Sequence, residues 1–113
     1  MIHQMKIQPK YFEAIQNGTK IYEIRLNDEK RKLIQKGDTI EFLKEPDKVE
    51  TLIVDVEGVL YFKNFEEMLE KIQVSKLAPA DISKIELLQD LESYYSKEKQ
   101  KEYGVVAIQV KRK

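Results

Sequence analysis

Three charged residues stand close together near the start of the chain. They are Lys20, Glu23 and Arg25, in the run Gly18-Thr19-Lys20-Ile21-Tyr22-Glu23-Ile24-Arg25. A lysine at a strand mouth can hold a phosphate or, once desolvated, act as a base. A neighbouring carboxylate can position that lysine, relay protons or accept from a nucleobase amine. An arginine can fork onto a phosphate or stack on a base. The trio suits a polar ligand with charged and planar parts. The plain alternative is an ion pair between Glu23 and Arg25, which share a strand face and are worth well under ~1 kcal/mol if exposed. Strand alternation would turn Lys20 away from both. It joins them only if it lies in the turn, before alternation takes hold.

Other chemistries are poorly supplied. The chain has no cysteine, which excludes disulfides, thiolate metal sites and a cysteine nucleophile. His3 is the sole histidine and is expected at the surface; no metal-binding spacing accompanies it, and no cofactor is implied. A Ser–His–Asp triad would have to use it. Gly18-Thr19-Lys20 lacks the glycines and spacing of a phosphate loop.

The elements that must position the trio can be read in order. Met5 and Ile7 alternate in a first strand. Pro9 opens a helix with Tyr11, Phe12 and Ile15 on its apolar stripe, and Asn17-Gly18 stops it. Residues 20–26 form a strand with Ile21, Glu23 and Arg25 on one face and Tyr22, Ile24 and Leu26 on the other. A charged connection follows, which Leu33 and Ile34 are expected to pin to the core. Lys36-Gly37-Asp38 turns into a strand with Ile40 and Phe42 on one face. Glu45 to Lys48 turns into a strand over 49–56, and Gly58 breaks or bulges it before Val59 to Phe62.

The second half reads as helical. Asn64 and Glu67 have capping-box spacing, with Phe65, Met68, Leu69 and Ile72 behind them. Asp81 is expected to cap a helix carrying Ile82, Ile85, Leu88 and Leu91, widened by Leu87 and Tyr94. Residues 96–103 are too charged for a core helix and read as a helical tail or a loop. Gly104 leads into a last strand with Val106, Ile108 and Val110 on one face, ending in a loose Lys111-Arg112-Lys113.

The chain has 113 residues, 42% hydrophobic and 35% charged, as one soluble domain spanning 1–113 requires. No apolar run approaches the ~20 residues of a membrane span. The N-terminus has no secretory h-region. A cytoplasmic protein is expected. Net charge is zero but uneven: residues 37–95 hold fourteen acidic and six basic residues, and residues 96–113 hold six basic and two acidic. If the fold joins the termini, one basic face can attract phosphates; otherwise these are solvated faces. The plan of short non-local strands with inserted helices gives an α+β fold, a small mixed sheet or partial barrel.

The series Phe12, Ile15, Gly18, Lys20, Glu23, Arg25, Asp28, Lys30 and Arg31, then Ile34, Gly37, Asp38, Ile40 and Phe42, resembles the ASCH domain family of the PUA-like superfamily. The likeness continues through Phe65 to Leu69, Tyr94 to Glu98 and Tyr103 to Ile108. It implies a small mixed or antiparallel PUA-like β-barrel with peripheral helices. It also implies a cleft lined by Gly18 to Arg25 that binds RNA or a nucleotide-like ligand. The binding set is then Lys20, Glu23, Arg25, Asp28, Lys30 and Arg31. Tyr95 and Tyr103 are the tyrosines ranked first for contact with a ligand.

Some relatives are amidohydrolases acting on acetylcytidine. They resemble this chain at Gly18, Lys20 and Arg25 but carry a catalytic threonine where Glu23 stands. Their catalytic glutamate corresponds to one of Glu66, Glu67 or Glu70. Other relatives are linked to RNA cleavage. Three readings follow: an RNA or nucleotide binder, a small hydrolase using Lys20 and Glu23, and an interaction domain in which the charges merely pair.

Overall fold

A computed structural model describes residues 1–113. The elements run β1 (Ile2–Ile7), α1 (Pro9–Gln16), β2 (Tyr22–Leu26), β3 (Thr39–Lys44), β4 (Thr51–Phe62), α2 (Phe65–Lys71), α3 (Lys84–Tyr94), α4 (Lys97–Tyr103) and β5 (Val105–Arg112). The five strands form one mixed sheet in the order β1-β3-β4-β5-β2. Only β1 and β3 pair in parallel; the other neighbours are antiparallel. The sheet curls into a half-barrel of the PUA-like kind, with β1 and β2 as its two open edges. No helix is long and apolar enough to cross a membrane.

Alternation divides the core between the two faces of the sheet. On one, Met5, Ile7, Ile40, Phe42, Val54, Val56, Val106, Ile108 and Val110 pack with Phe12 and Ile15 of α1. On the other, Ile24, Leu26, Val105 and Ala107 pack with Phe65, Met68 and Leu69 of α2, Leu77, and Leu87 of α3. β5 is covered on both faces, so Val105 to Ile108 are all fully buried. Burying a side chain of this kind stabilises by about 1.5–3 kcal/mol, which makes β5 the mechanical centre of the fold.

Several boundaries differ from the sequence reading. The strand containing Glu23 starts at Tyr22 rather than residue 20. Of the expected pins, Ile34 is buried but Leu33 is 58% exposed, because a 3-10 turn over Arg31–Leu33 points only Ile34 inward. β4 starts at Thr51 rather than Val49 and runs to Phe62 without a break. Gly58 supplies a register shift against β5. Asn64 caps α2 by accepting from the Glu67 amide, but the Glu67 carboxylate reaches the Lys63 amide, so the box is one residue wider than reciprocal.

α3 is capped by Ser83 in a capping box with Glu86, not by Asp81. Leu87, not the three-residue series, is its buried centre, and Ile85 is 70% exposed. A spacing of three drifts off a face that repeats every 3.6 residues. Of the two alternatives for the charged segment, residues 97–103 take the helical one, fastened by buried Gln100. Gln100 accepts from the Phe65 amide and donates to Glu92 and to the Tyr95 carbonyl. Lys111 and Arg112 are not a loose end: they pair with Asp55 and Val54 of β4.

Candidate functional site

Parity places Glu23 and Arg25 opposite Ile108 and Val106, on the face of the sheet that carries the first core. Their charges therefore point into an apolar interior. Lys20 reaches the same place by another route. Its amide donates to Ala14 at the end of α1, and the Ile21 amide donates to Lys76. The first of these bonds holds Lys20 outside the ladder, which the chain joins only at Ile21, whose carbonyl accepts from the Val110 amide of β5, so alternation does not govern Lys20.

The three groups form a closed network. The Lys20 ammonium lies 2.6 Å from the carbonyls of both Tyr22 and Leu77, and 3.4 Å from Glu23 Oε1. Those are three partners for its three donors. Arg25 Nε donates to Glu23 Oε2 at 2.8 Å, and Arg25 Nη2 approaches the same oxygen at 2.7 Å. Nη2 also donates to the Lys6 carbonyl at 2.7 Å. Lys20 is only 2% exposed and Glu23 only 5%.

Burial and pairing compete at each charge. Burial pushes the Lys20 ammonium below its ordinary value, against the opposing pull of Glu23. Burial would raise the Glu23 carboxyl, but Arg25 and then Lys20 outweigh it and hold Glu23 low. Burial also works against the Arg25 charge, and Glu23, assisted by Tyr95, overcomes it and raises the guanidinium.

The network borders a cleft of about 390 Å³ on the seam between the two edge strands. Lys6, Ile7 and Gln8 form one wall, and Glu23, Ile24 and Arg25 another. α3 covers it with Leu87, Leu91 and Tyr94, joined by Tyr95 and by Tyr11 of α1. Polar bonds fasten α3 to α1 beside this cleft. Tyr11 donates its hydroxyl to Asp90 Oδ2 at 2.6 Å, Lys10 approaches the same oxygen at 3.1 Å, and Gln8 bonds the Tyr94 hydroxyl. Burial, then the bond to Asp90, pushes the Tyr11 hydroxyl well up. The Tyr11 ring lies 5.4 Å from Lys20 Nζ, in cation–π range.

Of the residues singled out from sequence, Lys20, Glu23, Arg25 and Tyr95 line this cleft. Asp28, Lys30 and Arg31 do not. Asp28 caps the next turn, accepting from the Arg31 amide and from Arg31 Nη1 at 3.2 Å. Tyr103 packs in the second core with Lys99 over its ring. Glu66, Glu67 and Glu70 lie outside the cleft; Glu66 approaches Lys97 and Glu67 approaches Lys63. The basic C-terminal residues contribute no side chain to it, and Lys113 pairs with Asp55. His3 is not a plain surface residue: its Nε2 lies 2.8 Å from Asp38 Oδ2, in a half-buried pair.

The wall residues that sequence reasoning missed are Lys6, Gln8 and Glu45. From sequence, Leu87 and Leu91 read only as core, while Tyr94 is one of the tyrosines able to stack on a base, ranked below Tyr95 and Tyr103. The spacing of Leu87, Leu91 and Tyr94, four and then three, does mark one helical face, but nothing local says that it covers a cleft.

Comparison with known proteins agrees with the geometry. The ASCH domain profile matches residues 5–113. The hypothetical protein PH0355 is 38% identical, with a TM-score of 0.87 and coverage of 100% of both chains. Protein PF0455 from Pyrococcus furiosus is also 38% identical, with a TM-score of 0.78, covering 99% of this chain and 97% of that one. A mutant of ZmASCH from Zymomonas mobilis shares the fold at 13% identity, with a TM-score of 0.69, over 97% of this chain and 68% of that one. A search of curated proteins found no match.

Proposed function

The chain belongs to the ASCH domain family, and we propose on that ground that it binds RNA or a nucleotide-like ligand in the cleft on the β1–β2 seam. The observation that carries this reading is the buried Lys20–Glu23–Arg25 network at the cleft wall. Three charges inside a core are costly, and apolar residues of similar volume often serve stability equally well. Charges kept there, with shifted pKa values and beside an open cleft, point to a binding role.

The roles divide by exposure and bonding. Arg25 has Nε and Nη2 committed to Glu23 and to the Lys6 carbonyl, and Tyr95 interacts with the same guanidinium, so a phosphate or a base carbonyl is received by Arg25 and Tyr95 together. Lys6 is exposed at the rim and supplies a second cation. Tyr11, Tyr94 and Tyr95 with Leu87 and Leu91 offer the aromatic and apolar surface that a base needs. Lys20, with every donor engaged, positions Glu23 rather than touching ligand. The same saturation counts against Lys20 as a base, and Arg25 and Lys20 hold Glu23 ionised, which counts against it as an acid.

Titration with nucleosides, nucleotides and RNA oligomers tests the reading. Arg25→Ala and Tyr95→Ala are expected to weaken binding at least ~10-fold, within the ~1–3 kcal/mol range of a stacking contact. Unchanged affinity in both variants would rule out this cleft. Turnover of any of these compounds that is lost in Glu23→Gln would instead favour the hydrolase.

A further inference from the structure

A second cleft, of about 420 Å³, lies on the same seam. One of its walls is Ile2 to Met5, the part of β1 that precedes Lys6, Ile7 and Gln8 of the first cleft. Its other wall is Lys30, Arg31, Leu33 and Ile34, the segment that follows Glu23 to Arg25 along the chain. The strand pairings make β1 and β2 run in opposite directions, so both walls continue the same way. The two clefts thus follow one another along the seam, which the Arg25 bond to the Lys6 carbonyl bridges. Lys6 lies four residue steps along β1 from Ile2, about 13 Å at ~3.3 Å per step.

The seam has hydrogen-bonding capacity that the fold leaves unused. Met1 and Ile7 turn their carbonyls to β3, where they accept from Thr39 and Glu45. In a parallel pair alternate residues face the partner, so Ile2, Gln4 and Lys6 turn their main-chain groups to the seam. Only the Lys6 carbonyl is taken there, by Arg25. The cations are similarly available. Lys6 and Lys30 are both exposed and form no ion pair. Arg31 uses Nη1 alone on Asp28, and its Nε is buried without a partner. Most acids near the seam are engaged: Glu23 with Lys20 and Arg25, Asp28 with Arg31, and Asp38 with His3 and the N-terminus, while Glu45 and the exposed Glu29 approach Lys48 and Lys32 only loosely.

We propose that this second cleft is a phosphate subsite, so that the seam takes a single-stranded RNA chain rather than one isolated nucleotide. The proposal rests on nucleotide binding in the first cleft. Lys30 and Arg31 contact the backbone of nucleotides next to the one held there, and exposed Ile2 and Leu33 meet their sugars and base faces. The unused cations favour RNA over an extended peptide paired to β1, since each nucleotide brings one phosphate to each step.

Fluorescence anisotropy with uridine monophosphate and with oligouridylates of increasing length, on the whole chain, tests this. Affinity is expected to rise ~100-fold from the mononucleotide to an octanucleotide, as linked sites do when both are engaged. Lys30→Glu, a change at an exposed position, is expected to remove about 10-fold of that gain and to leave mononucleotide affinity as it was. The salt slope for the octamer should become shallower by about 0.7 for each phosphate that the variant no longer neutralises. Arg31→Ala should act in the same direction. Absence of a length gain in the unmodified chain overturns the second subsite and leaves the first cleft standing. A length gain unaffected by both variants overturns it too. Binding of neither monomer nor oligomer overturns both readings. Protection of the Gln4 and Lys6 amides by an extended peptide, without any RNA length gain, assigns the seam to a protein strand instead.

Discussion

Arg25 on one edge of the half-barrel donates to the main-chain carbonyl of Lys6 on the other, at 2.7 Å. No strand pairing joins β1 to β2, so this bond crosses the open seam of the sheet. The same guanidinium neutralises Glu23, and the seam and the charge network are therefore one structure.

Arg25→Ala should destabilise the fold by about 3 kcal/mol, because it leaves Glu23 buried with Lys20 alone and frees the Lys6 carbonyl. Arg25→Lys should recover only part of this, since an ammonium cannot fork between the carboxylate and the carbonyl. Urea denaturation of the three proteins checks both statements.

Glu23 also sets the acid limit of the fold. Its carboxyl titrates below the ordinary 4.5 in the folded chain, because Arg25 and Lys20 outweigh its burial. The unfolded chain regains the ordinary value and binds more protons between the two. The stabilisation from Glu23 is thus complete above 4.5 and is lost as pH falls through the lower folded value. Asp38, held low by its bond from His3, adds to the same slope. Stability measured by denaturant between about pH 6 and pH 3 should fall steeply at the acid end. The slope should be shallower in Glu23→Gln, whatever that variant loses at neutral pH.

Asp90 receives both Tyr11 and Lys10, and so ties α3 to α1 beside the cleft. Asp90→Ala should cost about 1–2 kcal/mol, the worth of these bonds. Amide exchange across α3 should accelerate while β5 keeps its protection. Equal acceleration throughout the chain would show that this tie is not a local fastening.

Gly104 turns the chain from α4 into β5 at a φ of +73°, and a Cβ there would stand 3.2 Å from the Phe62 carbonyl. Gly104→Ala should therefore cost about 1–3 kcal/mol through backbone strain, readable as a lowered Tm.

Local patterns of residues sufficed for most of the elements and for the parity of Glu23 and Arg25. Alternation put those two on one face, proline and glycine bounded α1, Asn64 marked the start of α2, and Gly58 marked the irregularity in β4. Each of these signals depends on residues within one turn or one strand. The ordered likeness to ASCH domains extended that reading to the half-barrel. The surroundings of the trio came instead from long-range packing. Lys20 turns inward because its backbone is hooked to Ala14 and its neighbour Ile21 to Lys76. Arg25 reaches a main-chain oxygen, which leaves no trace in the identity of residue 6. Leu87 and Leu91 enter from more than sixty positions away, and Asp28 and Arg31 fall in the next stretch of the seam. Such pairings depend on strand order and on how α3 docks. Both are set by packing between distant elements, which no local run of residues encodes.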